Sequence, residues 1–347
     1  MAAPLIRRLR DVPSMCTVVC IAAPHSAPLA HELADFGIEV EEELAAIGSG
    51  ANGSLSRGVD QVIAKHKPDC VLVYGDANKP MASFRNQASF GNLGAGLRMY
   101  ELHHNAPDGE GQHKIDLTAT RYFVSSEKAR DIMLKDGVVT ENLYVTDSTE
   151  VDAVLMVAER IRNDEKLKLR LAGDFPFLDS GKRLILVTGS RQEDTGGRLE
   201  NLCRNLTRLA MRPDVQLAFL LHSDRSGGGS SDETLVAHPN ITIIQPRDYL
   251  HEVYLMQAAF IILSDPEDVP KGALSLNKPV LVMSDSPECR ESAETVAANP
   301  AGIGEKCILR ECVMFLDDPT YYQAFSMHRN PYGDGHASQR IAETLLR

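Results

Sequence analysis

The stretch "SDPEDVPKG", residues 264–272, sets two carboxylates, Glu267 and Asp268, between Pro266 and Pro270. It follows the apolar run "FIILSD" and precedes "ALSLNKPVLV", so it joins two segments that read as buried strands. In α/β folds such a crossing is where bare backbone N–H groups at a helix start meet a phosphate. Here Pro266 has no N–H to offer, and the acids bring negative charge to the anion's place. Two like charges about 4 Å apart repel by roughly 4 kcal/mol at an effective dielectric of 20, and Lys271 offsets only part of that. Acids and proline favour the first turn of a helix. The stretch therefore reads as a solvated helix start without a phosphate cradle.

Other residues suggest chemistry more weakly. Arg191, in "VTGSRQED" after an apolar run, is placed either to hold a phosphate or to pair with Glu193 or Asp194. Asp76 closes "VLVYGD" either as a turn residue or as a working acid. His103, His104 and His113 lie in a polar stretch with no Cys or Asp cluster at ligand spacing, so no metal site is expected. Gly94-x-Gly96 is a lone glycine pair and weak evidence for a dinucleotide site.

These residues need a frame. Short apolar, β-branched runs read as buried strands at 16–23, 70–75, 142–147, 183–189, 215–222, 241–246, 260–265 and 278–285. Amphipathic stretches such as "SLSRGVDQVIAKHK" and "SSEKARDIMLKDG" lie between them, the second ending at Gly137, a suitable C-cap. Strand–helix alternation implies right-handed βαβ units and parallel sheets. The chain has 347 residues, more than one compact domain usually holds. A long helical stretch, "STEVDAVLMVAERIRNDEKLKLRLAG", separates two such series. The expected division is an N-terminal Rossmann-like domain over 1–173, a C-terminal one over 174–330, and a terminal helix over 331–347.

Hydrophobic residues make up 43% and aromatics only 5% with no Trp, which suits Val/Ile/Leu/Ala packing in parallel sheets between helices. A net charge of −12 argues against a broad nucleic-acid surface, though an acidic protein can still hold a small anion in a locally positive pocket. The seven cysteines are odd in number, scattered and without CxxC, so most are expected to be reduced core residues, in keeping with a cytoplasmic protein. No apolar run is long enough to span a membrane. The start, "MAAPLIRRLRDVP", has basic residues but no apolar core of a secretory signal.

An ordered series of motifs points further. "PDCVLVYGD", "GAGLR", "VTDSTEVDAV", "VTGSRQED", "HPNITIIQPRDYLHEVYLMQAAFIILSD", "SLNKPVLVMSD" and "NPYGDGHASQRI" succeed one another along the chain. The set resembles the non-hydrolysing UDP-N-acetylglucosamine 2-epimerases over almost its whole length. The resemblance implies a glycosyltransferase-B-like pair of domains facing a cleft that takes a UDP-sugar, with no cofactor. It implies the interconversion of UDP-GlcNAc and UDP-ManNAc by elimination and re-addition of UDP. It also implies a homodimer. That chemistry needs carboxylates to take and return the C2 proton and cationic or N–H donors to hold the developing diphosphate charge.

The same resemblance exposes departures. The family's "GDT" stands as "GDA", so Asp76 matches its carboxylate; "EAGLR" stands as "GAGLR", so Gly94 replaces the acid while Arg98 matches the arginine. "PEE" reads "PDGEGQHKID": Asp108 matches one acid, Gly109 replaces the other, Glu110 can serve only with a changed loop, and Asp116 matches the following Asp. In "GSRQED", Ser190 replaces a histidine, while Arg191 and Glu193 match. The Ser-Gly-Gly turn is absent from "PEDVPKG", Lys271 and Gly272 stand where two ribose-binding acids belong, and Cys289 replaces an arginine, with Arg290 beside it. The implied site is thus Asp76 and Glu110 as catalytic acids, with Arg98, Asp116, Arg191, Glu193 and Arg290 for the substrate.

The family also begins with a strand and "GTRPE" ahead of "KMAPLVRAL", whereas this chain starts at "MAAPLIRRL". That strand is central in a doubly wound sheet. The expectation is a gap with orphan N–H and C=O groups, unless a neighbouring segment fills it or the start of the chain is set late. Three functions stay open: a catalytically impaired or inactive epimerase-like protein with weakened UDP binding, which the clustered substitutions favour; an active epimerase with rearranged residues; and another nucleotide-sugar enzyme on the same fold.

Overall fold

A computed structural model describes residues 1–22, 26–44, 58, 61–74, 89–92, 121–135, 137–190, 198–222, 238–245, 247–264, 271–283, 298–301, 307–326 and 330–346. It is α/β with parallel sheets throughout, as expected. The contacts divide the chain into two compact units, Met1–Ala153 with Tyr332–Arg347, and Val154–Pro331. The sequence places a boundary near residue 173 at the end of a helical stretch; the contacts divide the chain at Ala153/Val154, within the helix Thr149–Asn163.

In the first unit the strands are β1 (Cys20–Ala22), β2 (Glu42–Leu44), β3 (Cys70–Val73), β4 (Ser89–Asn92), β5 (Arg121–Val124) and β6 (Leu143–Val145). They form not one sheet but two, a parallel pair β1-β2 and a parallel run β3-β4-β5-β6. The first described element is α1 (Ala3–Arg10), and among the described residues β2 and β3 are not paired. Leu5 and Leu9 on α1 bury against Phe123 of β5 and against Ile341 and Ala342 of the terminal helix.

The cysteines were expected mostly in the core; of the five described, Cys203 and Cys312 are buried, Cys70 is half-buried, and Cys16 and Cys20 are exposed, while Cys289 and the side chain of Cys307 lie outside the described residues. The strand expected from residue 16 begins only at Cys20, whose strand has a partner on one side. Burial pushes the Cys312 thiol up to about 12, leaving almost no thiolate at neutral pH. A thiol reagent added to the native chain should therefore label Cys16 first, Cys20 more slowly because burial and the nearby Glu42 push its thiol up, and leave Cys203 and Cys312 unmodified until urea is added. Mass mapping of the labelled peptides checks this.

The second unit holds six parallel strands in the order β12-β11-β10-β7-β8-β9. These are β7 (Arg183–Ser190), β8 (Val215–His222), β9 (Ile241–Ile244), β10 (Ala259–Ser264), β11 (Val280–Met283) and β12 (Ala298–Ala301). The continuous apolar runs are those of strands covered on both faces. Ile185, Val187, Leu217, Ile261, Leu263 and Leu281 bury against Leu206, Leu209, Ile308 and Phe315 from the flanking helices. The long helical stretch read from the sequence is two helices, α4 (Thr149–Asn163) and α5 (Glu165–Asp174). Asp164 leaves the helical region (φ −113°, ψ 96°) and its carboxylate accepts from Leu167 N, capping α5.

At the amino ends of β7 and β8, Arg212 bonds Asp214 (Nε to Oδ1 3.1 Å) and Asp317 (Nη2 to Oδ1 2.7 Å), and Arg183 also pairs with Asp214. The Arg212 guanidinium, helped by Arg183, holds Asp214 down to about 2. A carboxyl depressed in the folded state stabilises it above the unfolded value, about 4, and loses that contribution as pH falls through the folded one. Urea stability of the wild type should fall more between about pH 4 and 2 than that of Asp214→Asn. Parallel profiles would refute the pairing.

Candidate functional site

In the second sheet the chain steps outward from β7 to β8 and β9, then returns to β10 beside β7 and steps the other way to β11 and β12. The reversal between β7 and β10 is a topological switch point, where open parallel sheets take ligands outside the carboxyl ends of the strands. β7 ends at Ser190, so the segment with Arg191 and Glu193 begins there; β10 ends at Ser264, so "DPEDVP" begins beside it. Two stretches singled out by residue type thus start at neighbouring strand ends.

The helix start expected over 264–268 lies, past Ser264, outside the described residues. The described part of the β10–β11 connection holds a single 3₁₀ turn, Ala273–Leu276, entered from Gly272 with no side-chain cap and closed by Asn277 in the left-handed region (φ 58°). One turn of 3₁₀ helix has few aligned peptide dipoles to set against a phosphate. Gly272 is packed on α4: a Cβ there would lie 2.5 Å from Val154 Cβ and closer still to Cγ2. This is one of the two positions where the resemblance calls for a ribose-binding acid. Asn330, buried, ties the segment down, its Nδ2 donating to Lys271 O and Ser275 Oγ, both at 2.7 Å.

In the first unit the signature stretches meet in a polar latch that sequence reading did not foresee. Arg340 on the terminal helix α10 (Ala337–Leu345) bonds Asp147 Oδ2 at 2.6 Å and Asp334 at 2.6 and 2.9 Å. Arg340 holds the Asp334 carboxyl far below the usual carboxylate range. Ser148 N donates to Tyr332 O at 2.8 Å. Gly333 has φ +132°, and a Cβ there would lie 2.9 Å from Asp147 Cγ, so glycine is required. The buried Asp152 accepts from Ala337 N (3.1 Å) and Ser338 N (2.6 Å), capping α10 from α4 across 185 and 186 residues of sequence. The motifs were visible in the sequence, but nothing in it paired acids with amides so distant along the chain.

The seven residues expected at the site, Asp76, Glu110, Arg98, Asp116, Arg191, Glu193 and Arg290, all lie outside the described residues, as do His103, His104 and His113. Their place along the chain is set by the strands that deliver them. Asp76 comes after β3, Arg98, Glu110 and Asp116 fall between β4 and β5, Arg191 and Glu193 come after β7, and Arg290 comes after β11. A cleft of about 450 Å³ lies against β6, lined by Arg130, Tyr144, Thr146 and Arg340 among others. Among the described residues no group of three or more His, Cys, Asp or Glu is placed to hold a metal, and no helix is long and apolar enough to cross a membrane.

A family model described as UDP-N-acetylglucosamine 2-epimerase matches residues 7–346. The UDP-N-acetylglucosamine 2-epimerase of Escherichia coli K12 is 33% identical over 353 aligned residues, which cover 99% of this chain and 94% of that protein. That of Neisseria meningitidis serogroup A is 29% identical over 355 residues, 99% of this chain and 95% of that one. Among solved structures, the N. meningitidis enzyme bound to UDP-GlcNAc superposes with a TM-score of 0.87 at 29% identity, covering 99% of this chain and 95% of that one. The S. aureus MnaA–UDP co-structure gives 0.80 at 28%, covering 99% and 92%. The split parallel fold, the switch point carrying "GSRQED" and the latch built from "NPYGDGHASQRI" are therefore those of a chain that belongs to the UDP-N-acetylglucosamine 2-epimerase family.

Proposed function

We propose that this chain is a cytoplasmic, homodimeric member of its family that binds UDP or a UDP-sugar weakly and has little or no UDP-GlcNAc 2-epimerase activity. The ligand class rests on relatives solved with UDP-GlcNAc and with UDP. Impairment rests above all on one observation, the close packing of Gly272 on Val154. That packing leaves no room for the carboxylate which the resemblance puts on the ribose. The substitutions at Gly94, Gly109 and Ser190 and the acidic "PEDVP" run act in the same direction. In this reading Asp76 and Glu110 are the acids that remain for proton transfer, and Arg98, Asp116, Arg191, Glu193 and Arg290 are the residual ligand contacts.

The second reading, an active epimerase with rearranged residues, is favoured by 33% identity to the E. coli enzyme over nearly the whole chain. Proton NMR of UDP-GlcNAc incubated with the chain in D₂O separates the two. No deuterium at C2 and no UDP-ManNAc is the expected result; exchange at C2 would establish the second reading. Calorimetric titration with UDP is expected to give a dissociation constant weaker than about 100 μM, a binding free energy less favourable than about −5.5 kcal/mol. Micromolar affinity would contradict the account of the switch-point segment. Light scattering after gel filtration tests the dimer.

A further inference from the structure

The cleft against β6 is lined from three elements of the first unit: Glu127 and Arg130 on α3 (Glu127–Lys135), Tyr144 and Thr146 on and just past β6, and Arg340 and Glu343 on α10. Two of its polar atoms find no partner among the described residues. Thr146 is 3% exposed, and its Oγ1 is buried without a hydrogen bond. Arg130 reaches Glu127 Oε2 through Nη1 (2.5 Å) and lies 3.4 Å from Asp131 through Nη2, but its Nε is buried and unbonded. A buried donor or acceptor left alone weakens a fold, so two in one cleft mark a place where something from outside the fold supplies the partner.

The local sequence explains how they come together. Thr146 follows Tyr144 at the strand's two-residue period, on the side opposite Leu143 and Val145. The half-buried Tyr144 ring is steadied by Phe123, 5.7 Å away between centroids. Arg130 stands one helical turn after Glu127, which is why the two pair.

The charges say what kind of molecule fits. Each guanidinium already faces two carboxylates: Arg130 has Glu127 and Asp131, and Arg340 has Asp147 and Asp334, each at 2.6 Å. Glu343 adds a further negative charge to the lining. An anion would therefore enter a net negative setting. A cation would leave the Arg130 Nε–H, which only donates, still without an acceptor. Glu127 and Glu343 only accept, and the Thr146 hydroxyl does either. An uncharged group that answers all of them is a hydroxyl. An amide offers one donor and acceptor pair, whereas polar atoms spread over three elements call for several. The Tyr144 ring adds apolar surface for the C–H face of a sugar ring. A volume of about 450 Å³ lies in the range of small-ligand pockets.

We propose that this cleft is a carbohydrate site, taking a neutral mono- or disaccharide whose hydroxyls partner Thr146 Oγ1 and Arg130 Nε–H. The site belongs to one unit and holds whether or not the chain is an active epimerase.

Glucose and maltose are the probes, titrated into the whole chain with and without UDP. Calorimetry should give at least one of them a dissociation constant of about 0.1–5 mM, unchanged by UDP. Hydrogen exchange should slow over 127–130 and 143–146 when it binds. Inorganic phosphate and putrescine should not displace it. Thr146→Val removes the hydroxyl at nearly constant size and should weaken sugar binding at least about tenfold. Without sugar that variant should melt no lower than the wild type, because the lost hydroxyl had no partner. Arg130→Lys keeps the charge without the Nε–H and should weaken binding about fivefold or more. Failure of both sugars to bind at about 20 mM would overturn the proposal. So would equal affinity in the wild type and Thr146→Val, or displacement by phosphate or putrescine. A lower melting temperature for sugar-free Thr146→Val would mean that water already satisfies the hydroxyl and would overturn it too.

Discussion

Asp152→Ala should lower stability by about 3 kcal/mol, read as an earlier urea transition. Its carboxylate is the acceptor for Ala337 N and Ser338 N, and all three residues are buried. The residue that starts α10, His336, contributes no side-chain cap. Removing the carboxylate leaves two amides at a helix amino terminus without partner or water, where each lost bond to a charged group is worth about 1.5–3 kcal/mol. It also removes a negative charge that the helix dipole favours. Asp152→Asn keeps one acceptor and should cost less than half as much. A loss below about 0.5 kcal/mol for the alanine variant would mean that α10 is capped some other way.

Gly272→Ala should cost about 2 kcal/mol or more, because the new methyl group overlaps Val154 and neither the helix nor the 3₁₀ turn can give way without breaking other contacts. The backbone at Gly272 is ordinary (φ −77°, ψ −21°), so the penalty is steric and not conformational. That makes it separable. In Val154→Gly the added methyl has room, and the double variant should be more stable than the sum of the two single losses by about 1–3 kcal/mol. Additive losses would refute the overlap. The same geometry says that Gly272→Glu alone will not restore UDP binding: it unseats the segment before the carboxylate can reach a ribose. Tighter UDP binding by that variant would remove the main support for an impaired site.

Strands β7 to β11 of the second sheet were legible because being covered on both faces demands continuous β-branched apolar runs, as in "RLILVTG" and "VQLAFLLH". β5, "RYFV", was missed although its residues favour strands, and β2, β4 and β12 were missed for another reason. They read "EEL", "SFGN" and "ANPA", with no apolar run and with residues that disfavour strands, and only pairing makes them strands. The division of the long helical stretch was missed because Asn163-Asp164-Glu165 looks like a polar helix face until Asp164 turns its carboxylate onto Leu167 N. The site divides in the same way. "GSRQED" and "SDPEDVPKG" could be named from residue type and placed after strands, but the reversal that sets β7 beside β10 is a property of the sheet order alone.

By itself the sequence determined the alternation of strand and helix and the family, and it named the acids and arginines proposed for the site, since each is written locally in residue type and spacing. Only the tertiary structure decided that Gly272 has no space for a side chain, that Asp152 caps a helix 185 residues away and that the first sheet is split. Those outcomes depend on which surfaces meet, and close packing makes such meetings specific over distances in the chain that no local pattern spans.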